Sequence, residues 1–339
     1  IIADSIKSWV SSLSQEAGNK IPDVWSAKWE QANRTAEAND HFNIPELGSP
    51  ERLDVMTWNL EWFPKNGQTT AEYVGQILYQ LDLDVLAMQE LDDKTVFDQM
   101  VSELTNYTGY YESAWFAGLA YIYKSDVVQI NSIYEIYTTS HYWSAFPRSP
   151  MFMDMNFKGE NYFIINNHFK CCGDRTIETD LLYECDADEK RYLEASDCTT
   201  NCSDDCFSIY DENYRRLLSS QLIQQHYTNT NKNVIFLGDL NDELTDDDSD
   251  NVFYDLISDP SFKFADMGIA EGLSDYWSYP SYPSHIDHIL LTSNLIGSLD
   301  NPETSIFVPT VDLDFMNWEQ YDFLAVSYTH LTLPTSDLV

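Results

Sequence analysis

Cations are scarce in this 339-residue chain: 18 Lys and Arg stand against 56 Asp and Glu, a formal charge of −38. Such a surface repels polyanions at long range and argues against tight, sequence-independent nucleic-acid binding. It suits a solvated protein in salty surroundings, where charge is screened over less than about a nanometre. Long apolar runs are also missing: none approaches the ~18 residues that a membrane span needs. Cysteine is absent outside one polar stretch, which holds Cys171, Cys172, Cys185, Cys198, Cys202 and Cys206. An even number packed into one insert points to disulfides and an oxidising compartment. Cys198-x3-Cys202-x3-Cys206 leaves a zinc site as the alternative, although its spacing departs from common zinc patterns. Neighbours Cys171 and Cys172 are expected to bond to different partners, because bridging them is strained. The chain starts at Ile1 with no basic-then-apolar leader, so a secreted, extracellular location is expected from cysteines and acidity alone.

What is present describes a globular protein. Hydrophobic residues make up 43% and aromatics 14%, enough for one large domain with a full core or two small ones. Residues 1–50 read as an N-terminal extension with short helices at Ile6–Leu13 and Asp23–Ala38 and a Pro/Gly linker. Residues 51–327 form the main domain, interrupted by the cysteine-rich insert 171–206. Strands are predicted at Leu53–Leu60, Asp84–Leu91, Tyr110–Ser113, Leu119–Lys124, Val127–Tyr137, Met151–Phe157 and Tyr162–Asn167. Further strands follow at Asn233–Leu237, Phe262–Asp266, His285–Thr292 and Ser305–Val308, with helices at Thr70–Leu81, Thr95–Leu104 and Asn213–Tyr227. This excess of strands over helices implies two packed sheets with helices outside them. The acidic run Asp246-Asp247-Asp248-Ser249-Asp250 lacks the glycine and terminal Glu of a calcium-hand loop, and is read as solvated.

Chemistry concentrates at strand ends. Asn233-Val234-Ile235-Phe236-Leu237 is a buried strand, after which Gly238 is expected to turn the chain. Asp239 and Asn241 should then emerge on one side of an extended segment. Thr57-Trp58-Asn59, Met88-Gln89-Glu90, Asn166-Asn167-His168 and Ser284-His285-Ile286-Asp287-His288 likewise set polar groups on strands. Each alone serves equally as a turn or a cap; their co-occurrence is what points to a site. His288, next to Asp287 in its strand, should face the other way and pack.

As an ordered set, Trp58-Asn59-Leu60, Gln89-Glu90, Asn167-His168, Gly238-Asp239-Leu240-Asn241 and Ile286-Asp287-His288 resemble the endonuclease/exonuclease/phosphatase superfamily, which has the deoxyribonuclease-I-like fold. Trp58-Asn59-Leu60-Glu61-Trp62-Phe63-Pro64 and His168-Phe169-Lys170-Cys171-Cys172-Gly173 look like its secreted members. The resemblance runs from about Leu53 to Ser327. It implies an α/β fold, a four-layer α/β/β/α sandwich of two mostly antiparallel mixed sheets flanked by helices. It also implies a monomeric, metal-dependent phosphoric ester hydrolase, a phosphodiesterase or nuclease using Mg2+, with Mn2+ or Ca2+ as alternatives. By the same resemblance Glu90 and Asn59 hold the metal, hard oxygen donors of the kind magnesium takes. Asp239 orients or deprotonates water, Asn241 holds phosphate or that water, and His168 donates to phosphate or to the leaving oxygen. Arg148 is a candidate phosphate ligand or an ordinary surface arginine.

One family element is missing. Asp287 should pair with a histidine from a Ser-Asp-His motif, yet after Ala325-Val326-Ser327 the chain reads Tyr328-Thr329-His330-Leu331. Residues 328–339 look like translated adapter sequence and are read as a non-native tail, so the literal chain is expected to be an impaired enzyme. The competing functions are a lipid-headgroup (sphingomyelinase-like) or small-molecule phosphatase, and a non-catalytic binding module that keeps the fold. The aromatic loop Tyr276-Trp277-Ser278-Tyr279-Pro280-Ser281-Tyr282 either stacks on bases or sugars or packs.

Overall fold

The computed structural model describes residues 48–113, 117–171, 212–248, 250–274, 277–279, 283–301, 304–307 and 328–334. The expected N-terminal helices, the cysteines other than Cys171, the stretch 325–327 and Tyr276 and Tyr282 of the aromatic loop lie outside them.

The described residues build a four-layer α/β sandwich. One sheet contains, in spatial order, β11 (Ser305–Phe307), β12 (Tyr328–Pro334), β1 (Arg52–Phe63), β2 (Val85–Leu91), β4 (Gly118–Lys124) and β3 (Tyr107–Tyr110). The other orders β5 (Val128–Glu135), β6 (Met151–Phe157), β7 (Glu160–His168), β8 (Asn233–Asp239), β10 (Asp287–Thr292) and β9 (Phe262–Phe264). Strands β1 and β2 are parallel, as are β7 and β8, while β10 runs antiparallel to β8. The carboxyl ends of β1 and β2 therefore share one edge, and those of β7 and β8 share an edge with the amino end of β10.

Strict side-chain alternation sorts these strands into faces. Leu53 and Val55 of β1, Val85 and Ala87 of β2, Ile164 of β7, Ile235 and Leu237 of β8, and Ile289 and Leu291 of β10 meet between the sheets. The opposite faces carry Met56, Trp58, Leu86 and Met88 onto α1 (Gln68–Leu81), whose Val74, Ile77, Leu78 and Leu81 recur at helical spacing. Ile165, Phe236 and Leu290 pack on Leu218 and Ile223 of α3 (Glu212–Tyr227). The helix α2 (Lys94–Ser102) starts at Asp93, whose carboxylate accepts from the backbone N–H groups of Thr95 and Val96.

Several element ends differ from the sequence reading by one to three residues, and some elements differ outright. The strand expected at Tyr110–Ser113 is Tyr107–Tyr110, set by pairing with β4 from Tyr107↔Lys124 to Tyr110↔Tyr121. The short helices at Tyr254–Ser258, Met267–Ala270 and Ser293–Ile296 were not anticipated, because four or five residues carry no helical period. Tyr328–Pro334, read from sequence as a non-native tail, lies antiparallel to β1, with the His330 backbone opposite Met56.

Candidate active site

The inward-facing positions of four strands change from apolar to polar at one end of the sandwich. Asn59 follows Leu53, Val55 and Thr57 on β1; His168 follows Ile164 and Asn166 on β7. Asp239 follows Ile235 and Leu237 on β8, and Asp287 precedes Ile289 and Leu291 on β10. The pairing register sets Asp239 beside both His168 and Asp287. Across the sheets, the Asn59 amide donates to Asp239 Oδ2 at 2.8 Å, joining residues 180 apart in the chain.

Glu90 reaches this end by a different route. Alternation alone would send it outward with Met88. Both β1 and β2 are irregular here, between Asn59 and Phe63 and between Met88 and Leu91. Glu90 sits in the left-handed region (φ 60), as do Glu61 (φ 44) and Trp62 (φ 62). Bulges of this kind re-aim a side chain at a sheet end. The Glu90 carboxylate accepts from the Trp62 N–H at 3.2 Å and lies 3.6 Å from His168 Nε2, which is itself 3.7 Å from Asp239 Oδ2.

Gly238 is no turn residue. It lies within β8 at φ 146, and a Cβ there would fall 2.0 Å from the Asn167 carbonyl oxygen on the neighbouring parallel strand. Asn241 is likewise not on an extended segment. Its φ of 55 closes a tight turn in which its N–H donates to Asp239 Oδ1 at 3.0 Å and its amide donates to the Phe169 carbonyl at 3.3 Å.

Charge in this cleft is strongly perturbed. Burial, followed by the Glu90 carboxylate, raises Asp239 to about 6, against which the Asn59 and Asn241 hydrogen bonds work. Asp287 lies well above the usual carboxylate range, through burial first and Asp239 second. His168 is buried, neither ring nitrogen makes a hydrogen bond, and its pKa is driven far down by burial and then by Arg148 and Lys170. It is therefore a neutral imidazole at pH 7. Arg148 is half-buried; its Nε donates to the Ala117 carbonyl, and burial lowers its pKa against the Glu90 and Asp239 charges, which favour the ionised form.

Sequence reasoning missed the supports beneath these groups. Asn166, buried two residues before His168, accepts from the Gln89 amide at 2.7 Å and donates to the Met88 and Ala120 carbonyls at 3.0 Å each. Its backbone N–H donates to the Tyr121 hydroxyl at 2.9 Å. This network ties the two sheets together directly below Glu90 and His168. Its signal was present in the sequence, as amides at the inward positions of otherwise apolar strands. Ser278 was also missed: its Oγ accepts from the Ile286 and Asp287 N–H groups and holds the start of β10. In the same loop the Trp277 indole donates to the Ile269 carbonyl, a packing role, while Tyr279 is exposed.

His288 faces away from the cleft, as its position next to Asp287 predicts, and packs against Phe253 and Phe264. Its Nδ1 donates to Asp266 Oδ2 at 2.6 Å and its Nε2 to the Asp242 carbonyl at 2.9 Å. Two acceptors make it an imidazolium, and Asp266 raises its pKa although burial opposes this. His285 accepts the Ser278 N–H on Nδ1 and so donates from Nε2 to Asp266 at 2.9 Å. Asp266, His285 and His288 are close enough to suggest a metal site. Yet their facing atoms are 2.6 and 2.9 Å apart, whereas ligands around a tetrahedral ion at ~2.0–2.1 Å stand about 3.3 Å from one another. A hydrogen-bonded ion cluster fits these distances better.

The hard-oxygen set at the cleft does suit a divalent cation. Glu90 and Asp239 have no Lys or Arg salt bridge among the described residues, and crowding of the buried acids lifts both Asp239 and Asp287. A cation would relieve that repulsion.

The sequence profile of the Endonuclease/Exonuclease/phosphatase family matches residues 56–300. No curated protein matches the chain by sequence. Among solved structures, TDP2 of D. rerio complexed with single-strand DNA product aligns at a TM-score of 0.56 and 13% identity, over 84% of this chain and 99% of that one. The human Nocturnin catalytic domain with bound sulfate aligns at 0.50 and 14%, over 85% and 98%. A mannosyl-6-phosphatase of Bacteroides thetaiotaomicron aligns at 0.50 and 14%, over 82% and 98%. At these identities the likeness is one of fold.

Proposed function

Because the chain belongs to the endonuclease/exonuclease/phosphatase family, whose members hydrolyse phosphoric esters, we propose that it is a magnesium-dependent phosphodiesterase whose active site is the cleft between the two sheets. The observation that carries this reading is the convergence of Asn59, Glu90, His168, Asp239 and Asp287 at one end of the sandwich.

Glu90 and Asn59 would hold the cation, which when bound supplies positive charge to a phosphate oxygen. Arg148, whose charge is felt by Glu90 and Asp239, would take a second phosphate oxygen. Neutral His168 donates one ring N–H to the phosphate; its low pKa argues against service as the acid for the leaving oxygen. Asp239, at about 6, is ionised near neutral pH and basic enough to accept a proton from the attacking water. The water oxygen bonds to phosphorus, its proton passes to Asp239, and the bond to the leaving oxygen breaks. Asn241 would bind the attacking water or a phosphate oxygen, and the turn it closes keeps Asp239 in place.

Asp287 is the incomplete part. Burial beside Asp239 disfavours its charge, and an imidazolium from a Ser-Asp-His segment after Val326 would restore it. Disulfides in segment 171–206 and an extracellular location belong to the same proposal, on the strength of cysteine placement and acidity.

The test uses the chain as it stands and a variant with Ser-Asp-His placed after Val326. Each is assayed on bis-p-nitrophenyl phosphate, p-nitrophenyl phosphate, single-stranded DNA and sphingomyelin, with magnesium and with EDTA. Magnesium-dependent turnover, faster in the restored variant and lost in Asp239→Asn, is the expected result. Folded protein without metal-dependent turnover on any of the four would leave the binding-module reading.

A further inference from the structure

The bulge that re-aims Glu90 also exposes a tryptophan beside it. After Asn59 the chain passes through Glu61 and Trp62, both left-handed, before Phe63 returns to the core. Neither residue is a glycine, and bulky side chains rarely adopt such angles. The Glu61 N–H donates to Asn59 Oδ1 at 2.8 Å and the Trp62 N–H to Glu90 Oε2 at 3.2 Å, so the two proposed metal ligands themselves hold this conformation. With the nitrogen 3.2 Å from that oxygen and an N–Cα bond of ~1.46 Å, the Trp62 Cα lies within about 4.7 Å of the carboxylate. Trp62 is 49% exposed, whereas the nearby apolar residues Leu60 and Phe63 are buried.

We propose that Trp62 is a stacking platform for a nucleobase on the scissile phosphodiester, which makes the substrate class a short, single-stranded nucleotide ester. The inference rests on the phosphodiesterase reading and deepens it. A tryptophan whose Cα is this close to a metal ligand has the reach to set its ring one nucleoside away from a phosphate bound there. Stacking tolerates any base and needs no cationic track along a polymer, which a chain of charge −38 does not provide. A lipid offers no planar face to the indole, and a sugar alone offers only C–H groups in place of a base's π face.

The test compares wild type, Trp62→Ala and Trp62→Phe on a thymidine dinucleotide and on its analogue with an abasic sugar in place of the base next to the scissile phosphate. Trp62→Ala should raise KM for the dinucleotide ~5- to 150-fold, the range of base–aromatic stacking, with Phe recovering most of it and the abasic analogue unaffected. Equal effects on both substrates, or none, would overturn the platform while leaving the phosphodiesterase reading standing. A parallel titration of tryptophan fluorescence with thymidine 5′-monophosphate and magnesium needs no turnover. Saturable quenching that Trp62→Phe removes supports the platform; quenching unchanged in Trp62→Phe, or absent from wild type, overturns it. If wild type hydrolyses neither dinucleotide, the function proposal fails and the fluorescence titration alone decides the role of Trp62.

Discussion

Asp239→Asn should remove activity and yet stabilise the metal-free protein above neutral pH. Asp239 is 4% exposed, and its folded pKa is raised from 3.8 to about 6. Between these values the folded state holds a proton that the unfolded state has released, so stability falls as pH rises through that window and is level above it. A shift of about two units at ~1.36 kcal/mol each is a burden of about 3 kcal/mol at pH 8. The amide removes this burden but breaks one contact. Its oxygen can keep the Asn241 N–H, while its NH2 would meet the Asn59 NH2, which cannot reverse without losing the Glu61 N–H. That loss costs about 1 kcal/mol, leaving a net gain of about 2 kcal/mol. Urea unfolding in EDTA at pH 8 and pH 4 measures it. The variant should be the more stable protein at pH 8, and the advantage should vanish at pH 4. Magnesium should narrow the gap by binding the wild-type native state more tightly. An equal deficit at both pH values would show that the Asp239 contacts, not its charge, dominate.

Gly238→Ala places a Cβ 2.0 Å from the Asn167 carbonyl at a φ that alanine rarely adopts, so unfolding should come earlier by about 3 kcal/mol or more in urea titration. Asn166→Leu removes the partner of the Gln89 amide and of two buried carbonyls. A loss of about 3 kcal/mol is expected, together with reduced turnover from a misplaced His168, read by denaturation and steady-state kinetics. Glu90→Gln should raise the magnesium concentration for half-maximal activity at least about tenfold, the loss found even for groups one shell out from a metal, with the fold intact by circular dichroism.

Much of this protein is legible in local pattern. Met151–Phe157 alternates strictly and is a strand with those ends, and the apolar runs Val85–Met88 and Val234–Leu237 lie in strands that span the interior. Polar residues closing those runs marked Asn59, His168, Asp239 and Asp287, and strand parity alone turned His288 away from the cleft. The faces these residues take follow from a period of two, which depends only on backbone geometry. Tertiary structure decided the rest. Only pairing between β1 and β2 creates the bulge that turns Glu90 inward and exposes Trp62. Only sheet stacking lets Asn59 reach Asp239 and Gln89 reach Asn166. Gly238 looked like a turn because its near neighbour, the Asn167 carbonyl, comes from another strand. Asp266 carried no signal as the anchor of His285 and His288, because its role depends on two side chains that β10 and the segment before it bring to it. A sequence sets which face a residue takes within its own strand; which charges and carbonyls it meets there depends on elements folded from elsewhere in the chain.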